Sequence, residues 1–128
     1  MIGYTANIEE LTLANNNFRQ VLYTGKYMQL VLMALKPGEE IGAEVHEAVD
    51  QFFRIEEGKA KFIVNGEEAE VVAEGVFIVP AGSEHNVISV GETSLKLYTV
   101  YTPPNHPDGT IHTTKAEADA YEEAEYAH

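Results

Sequence analysis

The chain has 128 residues, 45% of them apolar, which supports one domain with a substantial core and not two. Eight basic residues against 21 acidic ones give a net charge of −13, which argues against nucleic acid and against an anionic membrane surface as partners. There is no cysteine, so disulfides, thiolate zinc sites and thiol nucleophiles are excluded, and histidine, carboxylate and amide remain as metal ligands. Apolar stretches are short, and the N-terminal segment has neither a basic start nor a long hydrophobic run. Neither a spanning helix nor a signal peptide is therefore expected, and the expected location is the cytoplasm.

In chain order, Asn7 with Glu10 three residues later predicts a short capped helix over residues 7–14, followed by the polar turn at Asn15, Asn16 and Asn17. Strand-like segments then begin, at residues 18–23 and 27–35, the second closed by Lys36-Pro37-Gly38. Further strands are expected at 41–46, 51–56, 60–64, 68–72, 76–79, 86–90 and 95–101. Asn65-Gly66 predicts a two-residue hairpin, since both central positions of a type I′ turn need positive φ. Many short strands with short connectors make the fold all-β, a sandwich or barrel over about residues 18–102. Past Pro103-Pro104, Thr114 and Glu117 open an Ala/Glu-rich helix over about 114–127.

One constellation has the spacing of a metal site. Glu44 and His46 are two apart, Gln51 follows after four intervening residues, and His85 ends a Pro80-x-Gly82-x-x-His85 turn 39 positions beyond His46. In an extended strand, residues two apart share a face, so Gly42, Glu44 and His46 point one way, and Ile41, Ala43 and Val45 the other. Gln51 shares its face with Phe53 and Ile55, a polar amide on what looks like a core face, where it needs partners. Gly42 either leaves room for a bound small molecule or marks a bulge. Glu44 has a competing reading as a buried ion pair with Arg54 or Arg19, and Arg54 should face away from the pocket. Asp50 competes with Gln51 as fourth ligand but is better placed as a turn or interface residue.

These motifs resemble those of the cupins. The first cupin motif, glycine, His-x-His, glutamate and glycine, is matched in frame by Gly38, Glu44-Val45-His46, Gln51 and Gly58. The second is matched by Gly75, Pro80-x-Gly82-x-x-His85 and Ser89, with Gly75 to Pro80 one residue short and serine where asparagine is usual. The resemblance implies a cupin-type jelly-roll β-barrel, usually dimeric, that holds one divalent metal ion and a small-molecule ligand. Carried over by position, the metal ligands are Glu44, His46, Gln51 and His85, with glutamate in place of the first histidine and glutamine in place of the glutamate. Two imidazoles, a carboxylate and a weak amide suit iron, manganese or nickel, and zinc or nickel could displace the native ion.

The function expected is that of a mononuclear metalloenzyme acting on a small polar metabolite. The resemblance covers isomerases, epimerases, dioxygenases, decarboxylases and lyases and does not choose among them. Two alternatives stand beside it, a small-molecule-binding or sensor module without turnover and a metal-free dimeric scaffold. His106 and His112 lie in or just after the proline-rich segment from Pro103 to Gly109, which either sits on the surface or folds back over a barrel mouth; the surface is the default. His128 is terminal. Phe53, Phe62, Phe77, Tyr98 and Tyr101 are core aromatics before they are pocket walls.

Overall fold

The structure, a computed structural model, describes residues 3–126, and side chains as far as residue 122. The first helix, α1 (Ile8–Ala14), starts where Asn7 accepts a hydrogen bond from the Glu10 N–H, and the Thr12 hydroxyl donates to the Ile8 carbonyl. It ends at an Asn15 turn, in which the side chain of Asn15 both accepts from the Asn17 N–H and donates to the Asn17 carbonyl.

Ten strands follow: β1 (Arg19–Thr24), β2 (Gln29–Leu35), β3 (Glu44–Val45), β4 (Asp50–Glu57), β5 (Lys59–Val64), β6 (Glu67–Val72), β7 (Val76–Val79), β8 (Glu84–Ser89), β9 (Leu95–Thr102) and β10 (Ile111–His112). All pairings are antiparallel. They build one six-stranded sheet in the order β10-β1-β2-β9-β4-β7 and one four-stranded sheet in the order β3-β8-β5-β6. The inner faces meet in a single apolar core, with Phe53 of β4 edge-on to Phe62 of β5 at 5.0 Å between ring centroids, and Phe62 stacked on Phe77 of β7 at 4.5 Å. Two facing antiparallel sheets of this kind form the jelly roll expected from the sequence. Asn65 and Gly66 both adopt positive φ, +49° and +83°, in the tight β5–β6 hairpin.

Three departures from the sequence reading have physical causes. The strand expected at 41–46 shrinks to two residues because Gly42 sits at φ +105°, where an extended ladder cannot continue. Ile41 then packs against the core while Val45 is exposed, although strict alternation would put both on one face. A Cβ on Gly42 would meet only the Lys115 Nζ, at 3.9 Å, so the positive φ and not crowding by the rest of the chain calls for the glycine. Tyr27 and Met28 lie outside β2, in an exposed turn. The two-residue β10, which no periodicity signals, pairs Arg19 with His112. The C-terminal helix α2 (Lys115–Tyr126) opens as expected, with the Glu117 N–H donating to Thr114 Oγ1; Ala127 and His128 lie outside the described residues.

Phe62 is fully buried at the centre of the aromatic stack. Phe62→Ala should lower the unfolding free energy by about 3–5 kcal/mol, read as a drop in the urea midpoint with an unchanged slope.

Candidate metal centre

Glu44 and His85 are directly opposite each other in the β3–β8 ladder, which puts a carboxylate beside an imidazole on the inner face of the four-stranded sheet. His46, two residues past Glu44, returns to that face, its ring 5.4 Å from that of His85. The turn that delivers His85 is tied to the same place, since the Gly82 N–H donates to the His46 carbonyl at 2.9 Å and the Ala81 N–H to Asp50 Oδ1 at 2.9 Å. Gly82 takes φ +83°, which glycine adopts without strain. Asp50 is thus the turn residue that the sequence suggested.

One ligand atom each from Glu44, His46 and His85 lies within 4.8 Å of the others. His85 is 4% exposed and its Nδ1 faces the Ser83 carbonyl at 3.1 Å. A carbonyl only accepts, so Nδ1 carries the proton and Nε2 keeps its lone pair, the tautomer a metal ligand needs. His46 Nε2 lies 3.2 Å from Glu44 Oε2, yet it is buried without a well-aligned hydrogen bond. Two imidazole nitrogens and a carboxylate oxygen gathered this closely make a donor set that fits a bound ion, which would replace the proton between His46 and Glu44. Burial alone would raise the Glu44 carboxyl, but the adjoining His46 imidazole, and then the charge of Arg19, hold it below its usual range.

Gln51 shares the inner face with Phe53 and Ile55, as its parity requires, and is 2% exposed. Its Nε2 donates to Thr99 Oγ1 at 3.0 Å, while Oε1 is buried without a partner. Arg54 points away from the site and pairs with Glu56 at 2.8 Å.

Of the two readings of the proline-rich loop, the structure shows the one that was not the default, in which it folds over the barrel end. An open depression of about 680 Å³ lies over Glu44 and His46, bounded also by Asn105, His106, Pro107 and Tyr121. His106 is therefore no free surface residue: its Nε2 is 3.2 Å from the Tyr101 hydroxyl, and its ring stands edge-on to Tyr101. His112, also expected on the surface, is 5% exposed, with Nδ1 3.2 Å from an Arg19 amino group. The proline-rich loop is held over the barrel end by Gln29 of β2. Gln29 Oε1 accepts from the Asn105 and His106 N–H groups, and its Nε2 donates to the His106 carbonyl and to Thr24 Oγ1. Desolvation lowers the His106 pKa to about 3, and burial raises that of the Tyr101 hydroxyl, so both are neutral at pH 7.

Comparison with known proteins agrees with this architecture. The family model described as a cupin domain matches residues 31–101. The chain is 49% identical over 127 residues to the uncharacterized protein YrkC of Bacillus subtilis (strain 168), a match covering 94% of this chain and 68% of that protein. It is 43% identical over 119 residues to the uncharacterized protein L612 of Acanthamoeba polyphaga mimivirus, covering 90% and 74%. The crystal structure of BH2720 from Bacillus halodurans superposes with a TM-score of 0.90 at 42% identity, covering 91% of this chain and 93% of that one.

Two outcomes follow from the loop. Gln29→Ala leaves the Asn105 and His106 amides without their acceptor, and hydrogen exchange at those two positions should accelerate at least about tenfold while β5 and β8 amides stay protected. Native His106 stays neutral down to about pH 3, whereas in the unfolded chain it protonates near pH 6.5, so its stabilisation is complete above pH 6.5 and is lost as the pH falls toward 3. In chelator, His106→Gln should flatten the dependence of unfolding free energy on pH across that window by up to about one proton's worth of slope.

Proposed function

Since the chain belongs to the cupin family, we propose that it is a mononuclear metalloenzyme acting on a small polar metabolite, with Glu44, His46 and His85 holding one divalent ion and Gln51 as fourth donor. The observation that carries this reading is the convergence of three ligand atoms within 4.8 Å at the barrel mouth, two of them on imidazoles and one on a carboxylate. Iron, manganese, nickel or zinc fits such a mixed nitrogen and oxygen donor set. When bound, the ion would supply Lewis-acid or redox chemistry.

The chain's own groups define what surrounds it. Glu44 contributes a single negative charge to the ligand set, and the amide of Gln51 contributes none. The Tyr101 hydroxyl keeps its proton, so it can donate a hydrogen bond to a ligand oxygen without becoming a base. His106, neutral and backed by Tyr101, forms the wall of the depression next to it. The loop from Pro103 to Gly109, fixed by Gln29, walls that side of the depression.

Protein purified without chelator or immobilised metal should contain about one divalent ion per chain by elemental analysis, and His46→Ala or His85→Ala should each remove it. Glu44→Gln should bind the ion at least about tenfold more weakly, since it removes the only charged ligand. A metal content near zero that stays there after iron, manganese, nickel and zinc are offered in turn would sink the proposal.

A further inference from the structure

Three of the chain's eight basic residues gather around one hollow that the candidate metal centre does not use. Lys36, Lys96 and Lys115 line a cavity of about 310 Å³, at the small end of the range for ligand pockets. It lies where β2 ends and β9 begins, at Leu35 and Leu95, whereas Gln29 and Tyr101 mark the other end of that ladder. No residue lines both this cavity and the depression over Glu44 and His46.

The chain does not balance the charge gathered there. Lys96 Nζ donates to the Leu13 carbonyl at 2.7 Å and to Asn16 Oδ1 at 3.2 Å, both neutral acceptors, and has a third proton to give. Among the described residues, no carboxylate lies within ion-pair distance of the Lys36 ammonium. Lys115 is paired, with Asp119 one turn along α2. Glu39 also borders the cavity, but its carboxylate accepts the Lys36 backbone N–H at 2.8 Å. Three cations against one carboxylate reverse the balance of the whole chain, in which 21 acidic residues outnumber eight basic ones. Like charges around one hollow repel each other until a counter-ion joins them, so the cluster favours an anion.

The lining also selects the kind of anion. Hydroxyls of Ser94, Thr113 and Thr114 border the cavity with the ammonium groups, and Thr114 Oγ1, which accepts from the Glu117 N–H, keeps its own proton to donate. Ammonium groups act as point charges and suit a tetrahedral oxyanion, whereas a planar carboxylate is best matched by the fork of an arginine, and the cavity is lined by lysines. Phe18 and Leu35 add an apolar side on which a short carbon skeleton can rest. The Lys115 and Ala116 N–H groups, at the start of α2, have no partner among the described residues; they add to the field of the lysines without defining the site.

We propose that this cavity binds the phosphate group of a small phosphorylated metabolite, held by Lys36, Lys96 and Lys115 with the carbon skeleton against Phe18 and Leu35. The site stands whether or not Glu44, His46 and His85 hold an ion, since the two linings have no residue in common.

The test titrates the full chain, metal-loaded and chelator-treated, with glycerol 3-phosphate, inorganic phosphate, malonate and glycerol, followed by calorimetry and amide NMR shifts. Both forms should bind one glycerol 3-phosphate per chain at least about tenfold more tightly than malonate or glycerol, with shifts centred on residues 113–116. Equal affinity for inorganic phosphate supports the proposal with the phosphate group alone as the recognised part. Lys36→Gln changes an exposed side chain and should fold as the wild type does, yet weaken binding at least about fivefold, as should Lys96→Gln. Lys26→Gln, the same loss of charge in the exposed turn before β2, should leave binding unchanged. Affinity unchanged in both Lys36→Gln and Lys96→Gln overturns the proposal, as does an equal loss in Lys26→Gln, which would reveal only a general field. Malonate bound as tightly as phosphate, or no saturable binding in either form, also overturns it. So does phosphate binding that needs the metal and shifts residues 43–46 and 105–107, since the ion would then be the anion's partner.

Discussion

A two-residue ladder holds the polar end of this barrel together. Glu44 faces His85 because β3 and β8 pair in that register, and a slip by one residue would send the carboxylate to the exposed face where Val45 now lies. So short a ladder does not fix its own register. It is fixed from both sides: Asn86 Oδ1 accepts the Gly42 N–H, the Ile41 N–H donates to the Val87 carbonyl, and Gly82 donates to the His46 carbonyl. Gly42 and Gly82, both at positive φ, let the chain turn sharply enough on either side for three side chains to converge. The rest of the barrel, with its aromatic stack from Phe53 to Phe77, supplies the rigid floor against which that convergence is maintained.

Electrostatically, this end of the barrel behaves as a small enclosed volume in which each group sets the state of the others. Glu44 stays ionised although buried, because imidazoles and the more distant Arg19 favour its charge. His106 and Tyr101 go the other way, since burial outweighs the nearby carboxylate for the histidine and nearby Arg19 for the phenol. The outcome is one anionic ligand, one cation and neutral hydrogen-bonding groups between them, an arrangement suited to a polar guest more than to a further buried charge pair.

Much of this was legible in the sequence where the signal is local. Asn7, Thr114 and Asn65-Gly66 act through residues one to three positions away, and each does what its position implies. The parity of Gln51 with Phe53 and Ile55 was equally readable, because a two-residue period survives in a regular strand like β4. It failed at Ile41, where one glycine turns the chain and the alternation no longer carries through. The roles of Gln29 and Arg19 were beyond reach for a different reason, and for the loop carrying His106 the sequence left two readings open. Gln29 contacts residues 76 and 77 positions away, and Arg19 meets His112 across 93. Nothing in the composition around Gln29 separates a loop anchor from an ordinary polar strand residue, because its role exists only after β2 and β9 have paired.

The two substitutions in the ligand motif also gain a structural reason. Thr99 donates its hydroxyl proton to the Phe52 carbonyl at 2.8 Å, so the oxygen facing residue 51 offers only lone pairs. Gln51 Nε2 supplies the donor that this oxygen needs, whereas an ionised glutamate there would set acceptor against acceptor in a buried position. The negative charge that a glutamate would have brought to β4 is instead carried on β3 by Glu44, beside His46 and within the field of Arg19. Exchanging the two residue types therefore moves the carboxylate from a site with an acceptor for a neighbour to one with imidazoles, and it leaves the charge of the ligand set unchanged.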